Sequence, residues 1–335
     1  MRKRRALDVL FLTGKDVSSL LTIRETLRAV ENAFKEKGFG RVQMPPKPYV
    51  FFKKYSGDLR VMPAYLERIG VAGVKVVNVH PKNPAKYGLP TVMATIVLLD
   101  PKSGAPICIM DGTRITAMRT GGAGGVAAKY LARKDSKVIG MIGAGTQART
   151  QLMALKEVLP KIDVVKVFDK VTEHGEKYAD EMGKILGLDI KPVHEAREAV
   201  FGSGIVVTTT PSTEPVVMDE WVGDGTHINS IGADAPGKEE LDPTVLGRAK
   251  IVVDDFEQAI HGGEINVPVS RGLIGREDIY AEIGDVVARK KPGRTSNDEV
   301  TVFVSTGLAI QDVSTAWIVY KKAERAGLGK KMRMF

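Results

Sequence analysis

Cysteine is nearly absent from this sequence. The single Cys108 among 335 residues excludes a disulfide within the chain and a zinc site built on cysteines, and it is typical of a reducing compartment. The five histidines do not occur at a metal-ligand spacing such as H-x-x-x-H. We therefore predict neither a structural disulfide nor a metal site.

Long hydrophobic runs are also absent. The chain contains no run of 18 or more apolar residues, so we expect no membrane-spanning segment. The apolar stretch from Leu7 to Leu12 contains Asp8 and is too short for the core of a signal peptide. We expect a cytoplasmic protein.

Charge of one sign is in modest excess. The net charge is +9, from 49 basic and 40 acidic residues, and the basic residues are scattered apart from short clusters at residues 1–5 and 330–333. Binding of single-stranded nucleic acid usually needs a basic stripe with interleaved aromatic residues, and the sequence has none. We expect no nucleic-acid or membrane partner, and a solvated surface with a pocket for anionic ligands.

The sequence of the N-terminal third predicts one helix followed by a sheet. Thr22 and Glu25 have the spacing of a capping box at the start of a helix, which Gly38 and Gly40 end. No helix-length segment interrupts the strands that follow, so their sheet is antiparallel or mixed. It must be covered by this helix, by another helix or by a second subunit. The predicted strands are Tyr49 to Lys53, Leu59 to Met62, Val71 to Val79, Thr91 to Leu99 and Ile107 to Met110.

The rest of the chain predicts an α/β fold. Thr113 to Arg133 reads as a helix rich in glycine and alanine, which indicates close backbone packing. Strands and helices then alternate, which is typical of a doubly wound parallel sheet, and a last helix follows from about Leu308 to Arg325. The strands are Lys137 to Ile142, Val164 to Phe168, Ile190 to Val193, Ile205 to Thr209, His227 to Ile231, Ile251 to Val253 and Glu299 to Val304.

A G-x-G-x-x-A motif follows the first of these strands. Gly143 permits a tight turn, Gly145 lets the backbone approach a pyrophosphate, and Ala148 allows close packing of helix on strand. The helix that begins here offers free N–H groups and its positive dipole end to phosphates. Because strand, turn and helix occur in the required order, we predict dinucleotide binding rather than a purely structural turn.

An acidic residue ends the second strand of this unit. Asp169 stands where a carboxylate would hold the ribose diol of the cofactor, and it favours NAD because it would repel the 2′-phosphate of NADP. Lys170, its neighbour, keeps NADP open as the second possibility.

Four charged residues are candidates for the chemistry. Lys47, Lys75 and Arg119 can hold a carboxylate, although each can equally be a surface cation. Lys75 is the strongest candidate because it interrupts an apolar strand, where a charge is costly without a partner. Asp234 follows a strand of the parallel sheet, near the edge where α/β folds bind ligands, and its alternative role is a helix cap or turn residue.

The sequence resembles the ornithine cyclodeaminase/mu-crystallin family, and within it the archaeal-type alanine dehydrogenases. The resemblance runs from about Leu20 to Gly327 and is carried by residues 61–65, 73–83, 88–92, 116–120, 143–148, 227–238 and 296–303. It implies a substrate-binding and dimerisation domain formed by residues 1–122 and 308–335, with an NAD-binding Rossmann domain, residues 123–307, inserted. It also implies a homodimer that joins the sheets of the substrate domains.

The resemblance assigns roles to individual residues. Lys75 and Arg119 match positions that bind the substrate carboxylate, Lys47 matches a position that is often arginine, and Asp234 matches the catalytic aspartate. Lys75 is also expected to polarise the developing carbonyl. Residues matching cofactor-contacting positions are Thr91, Thr146, Gln147, Asp169, Thr210, Ser230, Ile231, Lys238 and Ser305, beside Gly143 and Gly145 of the motif.

One residue departs from the cyclodeaminase pattern. These enzymes carry a glutamate two positions before a Met-Pro pair, where it receives the distal amine of ornithine, but Met62-Pro63 is preceded here by Arg60. An arginine repels that ammonium group and can help to hold a carboxylate. We therefore expect NAD-dependent oxidative deamination of L-alanine to pyruvate and ammonia, with Asp234 as general base.

Three other activities remain alternatives at this point. They are ornithine cyclodeamination, reduction of a cyclic imino acid such as pyrroline-2-carboxylate, and non-catalytic binding of the mu-crystallin kind. Arg60 disfavours the first, and Asp234 together with the cations disfavours the last. The reductase alternative needs the same carboxylate-binding residues and the same hydride chemistry.

Overall fold

The computed structural model describes residues 7–334. The basic cluster at residues 1–5 lies outside the described residues. The chain separates into two compact units. Among the described residues, the first contains 7–119 and 308–334, and the second is Thr120–Gly307. The sequence prediction placed the first boundary after residue 122, within the same helix.

The elements follow one another through both units. Before the second unit they are β1 (Asp8–Leu12), α1 (Gly14–Leu20), α2 (Ile23–Gly38), β2 (Val42–Gln43), β3 (Tyr49–Phe52), β4 (Gly57–Leu66), β5 (Val71–Val79), α3 (Asn83–Tyr87), β6 (Val92–Leu99), β7 (Pro106–Asp111) and α4 (Thr113–Leu131), in which the division falls. The second unit continues with β8 (Val138–Ile142), α5 (Thr146–Val158), β9 (Val164–Phe168), α6 (Thr172–Leu186), β10 (Asp189–Pro192), α7 (Ala196–Val200), β11 (Ile205–Thr208), β12 (His227–Ser230), α8 (Pro243–Arg248), β13 (Lys250–Val253), α9 (Phe256–Gly262), α10 (Asn266–Ser270), β14 (Ile279–Glu282), α11 (Ile283–Val287) and β15 (Thr301–Val304). The chain then returns to the first unit with α12 (Ala309–Ala326) and β16 (Lys330–Arg333).

The first unit contains a mixed sheet in the order β16-β1-β7-β6-β5-β4-β2, with β3 also paired to β4. Its pairs are antiparallel except that β1 runs parallel to β7. All five strands predicted between residues 48 and 110 are present, so the prediction of an antiparallel or mixed sheet is confirmed. The strands β1, β2 and β16 and the helices α1 and α3 were not predicted.

Helices of the same chain cover one face of this sheet. The capping box forms as predicted: the hydroxyl of Thr22 accepts a hydrogen bond from the N–H of Glu25, and the carboxylate of Glu25 accepts one from the N–H of Thr22. The helix α2 that begins there packs against α12, and α12 packs on β4, β5 and β6.

The opposite face of the sheet is apolar and only half-buried. Side chains alternate between the two faces along β4, β5 and β6. On the face away from α12, Val61 pairs with Val76, and Val74 pairs with Val97, which in turn pairs with Ile109. All five are partly accessible in the single chain. The sheet therefore leaves an apolar surface available to a partner.

The second unit is a doubly wound parallel sheet. Its eight strands lie in the order β10-β9-β8-β11-β12-β15-β13-β14, and every neighbouring pair is parallel. Two apolar cores cover its faces. One contains Ile139, Met141 and Val207 of the strands, and the other contains Ile142 and Val206. The predicted fold class, a Rossmann-type sheet within an α/β chain, is confirmed.

The glycines of α4 allow close helix packing. A Cβ atom on Gly121 would collide with the backbone of Thr150, and one on Gly124 would collide with the side chain of Gln151, both in α5. The close backbone packing predicted from the composition of this helix is therefore present.

In the part of the chain that the structure describes, no helix is long and apolar enough to cross a membrane.

Candidate active site

Lys75 is buried beneath the first turn of α12. It lies in β5 on the face that α12 covers, because Met62 and Ile96, its cross-strand neighbours, are buried on that face too. Its Nζ donates to Oδ1 of Asp312 at 2.8 Å, and both side chains are 0% exposed. The charge in an apolar strand therefore has the partner that its burial requires.

Arg119 forms an ion pair with the same carboxylate. Its Nε donates to Oδ1 of Asp312 at 3.0 Å, and its Nη1 donates to Oε1 of Gln311 at 2.9 Å. Two cations thus share one oxygen of a single buried carboxylate. The other oxygen of Asp312 is buried and has no hydrogen-bond partner among the described residues. With Lys75 protonated, the cluster carries one positive charge in excess, which suits an anionic ligand.

The environment of Lys75 lowers its pKa from 10.5 to about 7. Burial is the largest cause, and the charge of Arg119 adds to it. Asp312 acts in the opposite direction, and the charge of the half-buried Lys47 lowers the pKa further. The charges of two predicted carboxylate ligands, Arg119 and Lys47, therefore both act on the third, Lys75.

Arg60 lies in β4 on the same face as Lys75. Its guanidinium forms two hydrogen bonds to Asp58, from Nε at 3.0 Å and from Nη2 at 3.1 Å, and lies 5.0 Å from the centre of the Tyr49 ring. These contacts fix the orientation of Arg60. Asp58 was not singled out in the sequence.

The glycine turn of the second unit has the geometry of a phosphate-binding turn. Gly143 has φ 95°, which favours glycine, and α5 begins at Thr146 with Gly145 as its N-cap. Among the described residues no side chain caps this helix, and a Cβ atom on Gly145 would meet nothing within 4 Å. The start of α5, whose first turn includes Gln147, is therefore uncapped and leaves room beside Gly145 for a ligand.

Asp169 is hydrogen-bonded to this turn. It follows β9, and its carboxylate accepts hydrogen bonds from the N–H of Ala144 at 2.8 Å and from the N–H of Val171 at 3.0 Å. These bonds hold the carboxylate beside the turn. This arrangement is consistent with the predicted roles of Gly143 and Gly145 at a pyrophosphate and of Asp169 at a ribose.

Further predicted cofactor residues lie at the same edge of the sheet. Thr210 lies two residues beyond β11, Ser230 ends β12 and is followed by Ile231, and Ser305 follows β15. Because parallel strands end at one edge, these residues converge on the region that α/β proteins use for ligands. The hydroxyl of Ser305 is buried without a hydrogen-bond partner among residues 7–334, so it can form a hydrogen bond with a polar group of a bound dinucleotide.

Asp234 lies in the irregular segment between β12 and α8. Its Oδ1 accepts a hydrogen bond from Nζ of Lys238 at 2.6 Å, and both side chains are partly exposed. Asp234 is therefore an accessible carboxylate beside a cation. This suits the predicted general base, with Lys238 as its neighbour.

Thr91 is the one predicted cofactor residue in the first unit. It lies just before β6, and its backbone oxygen accepts a hydrogen bond from the N–H of His80 at 2.8 Å.

Some residues of the site were missed in the sequence. Asp312 and Gln311 are buried polar residues between Ile310 and Val313, and such a pair inside an apolar helix was an available signal. Two buried glutamates in the second unit, Glu240 and Glu264, were missed as well. In residues 7–334 there is no group of three or more histidine, cysteine or acidic residues that could hold a metal ion.

The fold and the site define a protein of the Rossmann class with a dinucleotide-type turn in one unit and a buried cation cluster for an anionic ligand in the other. The chain belongs to the ornithine cyclodeaminase/mu-crystallin family, whose sequence profile matches residues 8–327. The family predicted from the sequence is thereby confirmed.

Individual relatives are similar over almost the whole chain. An alanine dehydrogenase of Archaeoglobus fulgidus is 52% identical, over 98% of this chain and 99% of its own. A solved archaeal alanine dehydrogenase dimer with bound NAD is also 52% identical, with a TM-score of 0.94, over 98% of this chain and 100% of the other. The Δ1-pyrroline-2-carboxylate reductase of Thermococcus litoralis, solved with NADH and L-proline, is 45% identical, with a TM-score of 0.94, over 97% of this chain and 100% of the other.

Proposed function

We propose that this protein is an NAD-dependent dehydrogenase that converts L-alanine, water and NAD to pyruvate, ammonia and NADH, and that it also runs the reverse reductive amination. The observation that carries the proposal is the buried pair Lys75 and Arg119, which shares the single carboxylate of Asp312 and keeps one positive charge in excess. The 52% identity to an alanine dehydrogenase supports the choice of amino acid.

The second unit supplies the cofactor site in this proposal. The turn at Gly143 and Gly145 and the first amides of α5 bind the pyrophosphate, and Asp169 binds the ribose diol. Ser305, with its buried free hydroxyl, binds a polar group at the other end of the dinucleotide. When bound, NAD supplies the hydride acceptor. The carboxylate of Asp169 favours NAD over NADP.

The first unit supplies the substrate site. Lys75 and Arg119 bind the carboxylate of L-alanine, and Lys47 and Arg60 add positive charge around it. Holding the amino acid by its carboxylate fixes the orientation of the α-carbon, and such positioning supplies much of the rate enhancement in bimolecular reactions.

Proton transfer is assigned to Asp234 and Lys75. Loss of hydride from the α-carbon leaves an imino acid, and water attacks it to release pyruvate and ammonia. Asp234 takes a proton from the amine or from the attacking water. Lys75 polarises the developing carbonyl, and its pKa of about 7 allows it to give or accept a proton near neutral pH.

A second candidate function is reduction of pyrroline-2-carboxylate to proline. The observation that favours it is the 45% identity to a reductase solved with NADH and L-proline. Both substrates present a carboxylate next to the reacting carbon, so the Lys75 cluster serves both. Ornithine cyclodeamination is disfavoured because Arg60 would repel the distal amine, and pure binding is disfavoured by the accessible Asp234 beside the cofactor edge.

Two further features belong to the proposal. We place the enzyme in the cytoplasm, because it uses NAD and its single Cys108 is a buried free thiol. We propose a homodimer joined through the half-buried apolar face of the first unit's sheet, with no nucleic-acid partner. The dimeric state of the solved archaeal alanine dehydrogenase supports this assembly.

The test is NADH absorbance at 340 nm with purified protein, in parallel reactions. With NAD, L-alanine is expected to produce NADH and stoichiometric pyruvate. If L-alanine produces no NADH but pyrroline-2-carboxylate oxidises NADH, the protein is a pyrroline-2-carboxylate reductase and the proposal is wrong. Proline formed from L-ornithine without net NADH would show that the argument from Arg60 is wrong.

A further inference from the structure

Glu240 is a fully buried carboxylate that joins the ends of two neighbouring parallel strands. Its Oε1 accepts hydrogen bonds from the N–H and the hydroxyl of Thr210, at 2.6 and 2.8 Å. Its Oε2 accepts from the hydroxyl of Thr208 at 2.7 Å and from the N–H of Gly232 at 2.8 Å. Thr208 ends β11, and Gly232 lies just after β12. Glu240 therefore fixes the spacing of these strand ends.

The same carboxylate closes a segment of chain on itself. Gly232 begins and Glu240 ends the segment 232–240, which carries Asp234 and Lys238 and which we call the aspartate loop. The backbones at Gly232 and Thr210 approach so closely that a Cβ atom on Gly232 would collide with Thr210 and with the carboxylate of Glu240. The start of the aspartate loop is thus fixed by its own end.

Two more buried side chains hold this loop. Oε1 of Glu264 accepts hydrogen bonds from the N–H groups of Glu240 and Leu241 at 2.9 and 2.7 Å, and its Oε2 accepts from the hydroxyl of Ser230 at 2.8 Å. Asn266 accepts from the N–H of Gly237 at 2.9 Å and donates to the oxygen of Lys238 at 2.8 Å. Both ends and the middle of the aspartate loop are therefore anchored.

This arrangement costs folding free energy. In residues 7–334 neither Glu240 nor Glu264 forms an ion pair, so the two buried carboxylates are held by hydrogen-bond donors alone. Burial raises the pKa of both, and the charge of Glu240 adds to the effect on Glu264, whose pKa rises to about 8. Apolar side chains in their place would avoid this cost. A costly acid pair beside predicted cofactor and catalytic residues points to a role in function.

We propose that Glu240 is a positioning residue: by holding Thr210 and Gly232 it keeps the aspartate loop, and with it Asp234, in the arrangement that proton transfer needs. Glu264 and Asn266 support it by holding the backbone on the far side of the loop. The kinetic part of this inference rests on the proposed function, whereas the structural part does not.

The test compares Glu240→Gln with Glu239→Gln. In Glu240→Gln an NH2 group replaces one of the two accepting oxygens and faces another donor. Hydrogen bonds to Thr210 or Gly232 are therefore lost with almost no change of side-chain volume. Glu239 is the adjacent residue, is also buried and makes none of these contacts, which makes Glu239→Gln the matched control. Hydrogen–deuterium exchange of peptides covering 230–241, kcat for L-alanine and the NADH dissociation constant are measured for each.

We expect Glu240→Gln to speed exchange in the aspartate loop by about 10-fold or more and to lower kcat by about 10- to 100-fold. NADH affinity should fall by a smaller factor. Glu239→Gln should leave exchange and kcat close to those of the unmodified protein. Unchanged exchange in Glu240→Gln would overturn the inference whatever the substrate is, and faster exchange with unchanged kcat would overturn the positioning role.

Two further experiments cover the cases in which Glu240→Gln does not fold or L-alanine is not the substrate. If Glu240→Gln does not fold, Thr208→Val removes one of the four donors without changing the carboxylate, and the same two outcomes apply. If the unmodified protein does not oxidise L-alanine, the proposed function is wrong. In that case kcat is measured with pyrroline-2-carboxylate and NADH, and the exchange comparison still decides on the anchoring of the loop.

Discussion

At the scale of single residues, the site depends on an imbalance of charge. Lys75 and Arg119 both bind Oδ1 of Asp312, and all three side chains are buried or nearly so. One carboxylate cannot neutralise two cations, so a protonated Lys75 leaves a buried excess charge, which is costly until an anion binds. In the proposed function, this anion is the carboxylate of the substrate.

Replacing Lys75 by Met tests this role. Methionine fills a similar volume without the charge, so the remaining Arg119 and Asp312 form a neutral pair. We expect kcat/KM for L-alanine to fall by about 100-fold or more, as expected for loss of a charge-assisted hydrogen bond. The NADH dissociation constant should not change. Steady-state kinetics and NADH fluorescence check this, with the exposed Lys102→Met as control, and a loss of less than about 3-fold would remove Lys75 from the substrate site.

The lowered pKa of Lys75 also predicts a pH dependence of stability. Between pH 7 and 10.5 the unfolded chain carries the proton and the folded chain has lost it. The free energy of unfolding therefore rises with pH across this window, by at most about 1.4 kcal/mol per pH unit, and this contribution is lost as the pH falls through 7.

Urea unfolding at pH 7, 8.5 and 10 measures this effect. The difference in unfolding free energy between the unmodified protein and Lys75→Met should increase with pH. A difference that is constant across the three values would mean that Lys75 keeps an ordinary pKa.

Residue-level reasoning from the sequence reached only part of the cluster. Lys75 was recognisable because a charge inside an apolar strand needs a partner, but the partner lies 237 residues away. Asp312 could not be matched to it without knowing that α12 lies on β5. The same holds for Glu240, whose four donors come from two strand ends that only the fold brings together.

At the scale of elements, the turn between β8 and α5 contains two glycines that are present for different reasons. Gly143 has a positive φ and lies against Thr209, so a side chain there is strained and collides. Gly145 has extended backbone angles, and a Cβ atom there would meet nothing within 4 Å in the described part of the chain. The turn requires the glycine at Gly143, whereas nothing in the described fold requires one at Gly145, where the proposed dinucleotide would pass over the backbone.

Alanine substitution distinguishes these two roles. Gly145→Ala should keep or slightly raise the melting temperature, because the fold has room for the methyl group, yet weaken NADH binding by about 10-fold or more. Gly143→Ala should lower the unfolding free energy by about 1–3 kcal/mol. Thermal melting and NADH titration measure both effects, and normal NADH affinity in Gly145→Ala would exclude this turn as the pyrophosphate site.

The elements that were predicted share strong local patterns. The β5 and β9 strands have the predicted ends, because their β-branched runs are bounded by turn residues. One missed strand is short and mostly polar: β16 reads Lys-Lys-Met-Arg, all four of its residues are exposed, and it exists because β1 lies beside it. Such edge strands depend on a distant partner rather than on their own sequence.

At the scale of the whole molecule, the two units differ in what they leave uncovered. Both faces of the second unit's sheet have apolar cores, whereas the first unit's sheet has helices on one face and half-buried valines on the other. An exposed apolar face of this kind is typical of an interface. It accounts for the dimer in the proposed function.

A charge placed in that face should separate the dimer. Val97 lies in its centre, between Val74 and Ile109, so Val97→Glu would bury a carboxylate without a partner. We expect a monomer in light scattering after size-exclusion chromatography. Ile185→Glu, at an exposed apolar residue of α6, is the control and should remain dimeric. A dimeric Val97→Glu variant would place the interface elsewhere.

The most direct test of the whole account compares L-alanine with L-alaninamide, which has the same α-carbon and amine but no carboxylate. NADH formation at 340 nm is measured with NAD at saturating concentration. We predict oxidation of L-alanine, and a kcat/KM for L-alaninamide at least about 100-fold lower, because the Lys75 cluster has no anion to bind. Equal kcat/KM values, or no NADH from L-alanine, would contradict the account.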